Sequence, residues 1–75
     1  MKGKIIETVG EPKAHRYTIE DADGNRYFAH FGDLDGNEKL VQNSPRRVDL
    51  KNGEEVEFEI AKGNLPHVYH VKKSN

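Results

Sequence analysis

Apolar residues along this chain fall into short groups separated by stretches rich in glycine, asparagine, aspartate and proline. Val56, Phe58 and Ile60 alternate with Glu55, Glu57 and Glu59, the period of two expected of a strand with one face buried. His15 to Asp21 alternates in the same way, with Tyr17 and Ile19 on one face and Arg16 and Thr18 on the other. Tyr17 is read as inward filling. The Asp-Ala-Asp-Gly-Asn run at 21–25 is a strong hairpin signal, so Arg26 to Phe31 is predicted to return as an antiparallel neighbour. Parity sends Tyr27 inward and Phe28 outward on that strand. Gly3 to Val9 reads as a first strand, but the adjacent Ile5 and Ile6 leave its facing open. A last strand is predicted from Leu65 to Val71, with Tyr69 and Val71 inward and Val68 and His70 outward. Asn52-Gly53 and Gly63-Asn64 supply tight turns, and residues 73–75 read as a disordered tail.

From Gly32 to Asp49 the periodicity disappears, which predicts a long connection with one short turn around Glu38 to Val41. No stretch carries helical periodicity and no internal repeat is present. Five short strands separated by turn signals predict an all-β domain over residues 1–72. Closing five antiparallel strands into a barrel removes the exposed edges that so short a chain has nothing else to cover.

Composition narrows the chemistry. The chain has 75 residues, enough for one hydrophobic core, and both its hydrophobic and its charged fractions are 33%. It has no cysteine, so neither a disulfide nor a thiolate metal site supplements that core, and a reducing, cytoplasmic setting fits. No apolar run exceeds three residues, which excludes a signal-peptide core and a membrane-spanning helix. Twelve Lys and Arg against thirteen Asp and Glu give a net charge of −1, so contact with phosphates has to be local.

Three segments resemble the cold-shock domain. Met1-Lys2-Gly3-Lys4-Ile5 resembles that family's opening Met-x-Gly-Lys-Val, and Tyr27-Phe28-Ala29-His30-Phe31 resembles its second nucleic-acid motif, Val-Phe-Val-His-Phe. Asn52-Gly53-Glu54-Glu55-Val56-Glu57-Phe58-Glu59-Ile60 followed by Lys62-Gly63-Asn64 resembles Glu-Gly-Gln-x-Val-x-Phe-x-Ile with its Gly-Asn turn. The resemblance implies a five-stranded antiparallel OB-fold barrel that binds single-stranded RNA or DNA. The chain departs from the family where Lys-Trp-Phe and Lys-Gly-Phe-Gly-Phe-Ile are expected. Ile6-Glu7-Thr8 and Ala14-His15-Arg16-Tyr17-Thr18-Ile19 stand there instead, so four stacking aromatics are replaced.

Arg16, Thr18, Arg26, Phe28, His30 and Phe31 make up the expected binding face, with Lys4 from the opening motif counted alongside. Aromatic side chains stack on bases regardless of sequence, and arginine adds planar stacking and a phosphate charge. Two readings of the aromatics stay open: a stacking platform, or a cover over one end of the core. Arg46 and Arg47 are a basic pair that either meets a nucleic-acid backbone or is ordinary solvated charge. Glu54, Glu55, Glu57 and Glu59 form an acidic edge that blocks strand association. His67 and His70, three apart on a strand, point to opposite faces and do not share a metal without a bulge. Asp33 and Asp35 lie in a string like a calcium loop, but Ser44 stands where its twelfth-position glutamate is required. No catalytic constellation is expected, and no cofactor. Alternative readings are a protein-interaction module that kept the barrel, or a ribosome-bound member of the same fold; no membrane partner is expected.

Overall fold

The computed structural model describes residues 1–60 and 66–74. Among the described residues are five strands, β1 (Lys2–Val9), β2 (Arg16–Glu20), β3 (Arg26–His30), β4 (Glu55–Ile60) and β5 (Val68–Lys73), and one 3-10 turn at Phe31–Asp33. They form one antiparallel sheet in the order β3-β2-β1-β4-β5. The protein is therefore all-β, and none of its described helices is long and apolar enough to cross a membrane.

The β2–β3 hairpin follows the alternation in the sequence. Tyr17 pairs with Ala29 and Ile19 with Tyr27, while Arg16 pairs with His30, Thr18 with Phe28 and Glu20 with Arg26. Tyr17, Ile19 and Ala29 are buried, Tyr27 packs at the margin of the core against Phe58, and Phe28 faces out. At the turn, Asp21 Oδ1 accepts the backbone N–H groups of Asp23 and Asn25, both at 2.9 Å, and Gly24 takes the positive φ that the turn demands. The Tyr27 hydroxyl donates to the other Asp21 oxygen at 3.0 Å. Burial opposes the charge on Asp21, but hydrogen bonds from Asn25, Tyr27 and Asp23 outweigh it and hold the carboxyl below its ordinary pKa.

A bulge settles the facing of β1. Ile5 stands opposite Ile19 and Glu7 opposite Thr18, so Ile6 is an extra residue and only Ile5 enters the core. A second bulge corrects the expected facing of β5. Tyr69 pairs with Glu59 and Lys72 with Glu57, leaving His70 and Val71 together opposite Phe58. His70 takes the bulge's unusual backbone, with φ of 52°, and the period of two breaks there. Val68, expected outward, is consequently buried along with Val71, and Tyr69, expected inward, is half-buried. Ile60, which closes the alternation of β4, is exposed while Val56 and Phe58 are buried. Pairing also continues to Lys73, and Ser74 N–H donates to Glu55 O at 3.0 Å, so the sheet holds residues read as tail. The Gly63-Asn64 turn and the predicted strand start at Leu65 lie outside the described residues.

The long connection does more than link strands. Leu34 and Leu50 from it are buried among the core residues of the sheet. Asn37, fully buried, donates to Phe31 O (2.9 Å) and Val48 O (2.8 Å) and accepts from Val48 N–H (2.6 Å), pinning both halves of the loop. The short turn expected near Glu38 to Val41 is one of several, with hydrogen bonds from Leu40 to Asn37, Ser44 to Val41 and Arg47 to Ser44.

The outer strands of the sheet approach each other. Phe28 N–H donates to Pro66 O at 2.7 Å beside a parallel bridge from Phe28 to His67. Farther along, Asp35 N–H donates to Val71 O at 2.8 Å beside a bridge from Leu34 to Val71. Among the described residues these isolated bridges, and no continuous ladder, join β3 and the following turn to β5.

Candidate nucleic-acid interface

The regular pairing of β2 with β3 places Arg16, Thr18 and Glu20 beside His30, Phe28 and Arg26 on one outward face. Phe28 is 39% exposed, a large apolar ring left in solvent at the centre of that row. His30 lies at one end, and the ring of His15 stands 6.4 Å from it, tilted by 52°. Arg16 is exposed and has no ion-pair partner among the described residues, whereas Arg26 Nε lies 3.2 Å from Glu20 Oε2. The face thus offers two adjacent imidazoles, one phenyl ring and one uncommitted cation.

Other expected members are placed differently. Thr18 shares the outward face but is only 4% exposed, and its hydroxyl donates to Glu7 Oε1 over a long 3.4 Å. At that exposure it does not present a contact surface. Phe31, at the end of β3, is half-buried against the core instead of joining the platform, and the Arg47 guanidinium lies 5.0 Å above its ring. Lys4 is exposed on β1 but pairs with Glu20 on one side and Glu55 on the other, in acidic company.

The basic dipeptide divides. Arg46 is exposed, as an available cation must be. Arg47 is not solvated charge: its residue is 7% exposed, and it donates to the Gln42 carbonyl (2.8 Å), the Ala14 carbonyl and the Tyr17 hydroxyl (3.2 Å). Its Nε lies 2.7 Å from Asp49 Oδ1, an ion pair off the line of a hydrogen bond. The physical reason is the buried Tyr17, whose hydroxyl needs a partner where the loop crosses the sheet. Arg47 therefore fastens the loop and is withdrawn from ligand contact.

The two histidines of β5 and its approach do not converge. His67 Nε2 lies 2.7 Å from Asp33 Oδ2 and His70 Nδ1 lies 3.0 Å from Asp35 Oδ1. Glu38 comes close enough that the nearest oxygens of Asp35 and Glu38 and a His70 nitrogen all lie within 4.8 Å of one another. His70 already bonds to Asp35 there, and the group stands as a hydrogen-bonded surface cluster to which no ion is assigned.

Sequence reasoning missed His15, Asn37 and the structural part played by Arg47. His15 carried a usable signal, because it precedes Arg16 at the mouth of the hairpin and lies next to the residue that pairs with His30. Asn37 carried none, since an Asp-Gly-Asn string reads as turn chemistry whether the asparagine is exposed or buried. No protein-family model matches this chain, and no curated protein matches it.

Proposed function

We propose that this protein is a non-enzymatic domain of the cold-shock, OB-barrel kind that binds single-stranded RNA or DNA weakly and with little sequence preference in the cytoplasm. The strand order β3-β2-β1-β4-β5, with its outer strands meeting in parallel at Phe28 and His67, supports a barrel of that kind. The observation that carries the functional reading is the exposed Phe28 ring beside Thr18, flanked by His30 and Arg16. A base stacked on one aromatic contributes roughly 1–3 kcal/mol, so a face with a single phenyl ring binds weakly. Arg46 adds a cation from the loop.

Titration of the isotope-labelled protein with oligo-dT and oligo-U, followed by amide shifts, tests this reading. Shifts confined to β2, β3 and the His15 region are expected, with micromolar or weaker affinity at physiological salt, about a hundredfold short of a platform with two further stacking contacts. Phe28→Ala is expected to abolish the shifts and to leave stability within about 1 kcal/mol of wild type. Nanomolar binding to oligo-dT contradicts the depleted platform, and an absence of shifts with either oligomer contradicts the function.

A protein-interaction module is the second reading. It is favoured by the hydrogen bond from Thr18 to Glu7, which holds a carboxylate against the residue paired with Phe28, on a face where a polyanion is then repelled. Apolar contact with a protein survives added salt, and phosphate contact does not.

A further inference from the structure

The sheet is continuous through four strand pairings, but where β3 and its following turn meet β5 the backbone contributes, among the described residues, only isolated bonds. Among the described residues two side-chain pairs span that seam. Asp33 and Asp35, two residues apart just beyond β3, reach His67 at 2.7 Å and His70 at 3.0 Å. Each pair sits beside a backbone bond of the seam, His67 next to the Pro66 carbonyl that accepts from Phe28, and His70 next to the Val71 carbonyl that accepts from Asp35. Asp33 is also a junction, because the same Oδ2 that meets His67 accepts the His30 N–H at 2.8 Å.

We infer that the Asp35–His70 pair is a protonation-dependent clasp, which fastens the seam between β3 and β5 in mildly acidic solution and loosens it in mildly alkaline solution. A charged imidazolium bonded to a carboxylate is held more strongly than a neutral imidazole making the same bond. The groups around the His70 ring favour the charged form. His70 faces Asp35 and Glu38 from the connection and Glu59 from β4, with Glu57, Lys72 and the end of Met1 lining the same recess. His67 faces Asp33 from the turn after β3. The hydrogen bond to Asp35 raises the His70 pKa, burial works against that, and the charges of Asp35, Glu59 and Glu38 add to it. A histidine whose pKa is raised by folding contributes stability that is complete below its ordinary value near 6.5 and is lost as pH rises through the raised value. The pair is partly solvent-exposed, so the change is one of local opening at the seam and leaves the rest of the sheet closed. The clasp is independent of what Phe28 binds, although Phe28 N–H is itself a bond of the seam.

Native-state amide hydrogen exchange of the whole protein from pH 6 to pH 8, expressed as protection factors, tests the clasp. The Asp35 amide is expected to lose protection several-fold over that range while the Ile19 and Val56 amides stay level. The variant Asp35→Asn is expected to show low protection of the residue 35 amide at pH 6 and no further fall. Should that variant fail to fold, ring titration of the wild type by NMR decides instead, with the His70 transition expected above its free-peptide value. Flat seam protection, an equal fall at Ile19 and Val56, or a His70 transition at or below the free value each overturns the proposal.

Discussion

At the scale of single residues, neighbours of the same type have unlike fates. Arg46 and Arg47 are adjacent and equally basic, yet one is exposed and the other lies under the loop with its side chain fully covered. What separates them is the inward Tyr17, whose hydroxyl is buried and accepts from Arg47. Replacing Arg47 with methionine keeps the volume but strands that hydroxyl and the Gln42 and Ala14 carbonyls without their donor. Urea unfolding is expected to show a loss of about 2–4 kcal/mol for Arg47→Met and a change within about 0.5 kcal/mol for Arg46→Met. Equal effects at the two positions contradict the fastening role. The sequence held no sign of this division, because a basic pair in an aperiodic loop has no periodicity from which facing can be read.

At the scale of elements, alternation was legible wherever a strand stayed regular and illegible wherever a bulge intervened. The β2–β3 hairpin and the Val56–Phe58 face of β4 follow a period of two, and their inward residues are the ones the pattern names. In β5 the extra residue at His70 brings Val68 and Val71, three apart, to the same side, which strict alternation forbids. The core contributions of Leu34 and Leu50 were hidden for a related reason: single apolar residues in a loop are buried by the strands they cross and not by their own local pattern. The candidate site was legible in its regular part, Arg16, Phe28 and His30, and misread where Phe31 leaves the strand and turns to the core. One element is testable at its tightest point. A Cβ on Gly3 of β1 lies 2.6 Å from Ile19 Cγ2 and 2.9 Å from the Glu20 carbonyl oxygen, so the strands must separate to admit it. Gly3→Ala is expected to cost about 1–3 kcal/mol in urea unfolding, the range for overpacking a closed core. A neutral result would mean that β1 has slack against β2 and that the glycine is there for another reason.

At the scale of the whole molecule, charge decides how any polyanion is met. A net charge of −1 gives no general attraction, and the acidic row Glu55, Glu57 and Glu59 on β4 leaves the β2–β3 face as the place where cations stand beside an exposed ring. Of the cations expected to meet a nucleic acid, on that face or from the loop, Arg26 is paired with Glu20, Lys4 stands between Glu20 and Glu55, and Arg47 is buried. Arg16 and Arg46 remain, so about two phosphates are neutralised on binding. Counterion release from a single strand then gives a slope of log affinity against log salt of about −0.7 per phosphate, or roughly −1.4 in all. Raising salt from about 50 to 200 mM is a fourfold change, and fourfold to the power 1.4 predicts roughly a sevenfold loss of oligo-dT affinity. Fluorescence anisotropy with labelled oligomer measures the slope directly. Arg16→Gln is expected to flatten it by about half and Arg47→Met to leave it unchanged if that variant folds. A slope near zero means that phosphates are not what the face meets and favours a protein partner. A slope of about −4 or steeper requires cations beyond Arg16 and Arg46, and so a binding surface other than the one built on Phe28.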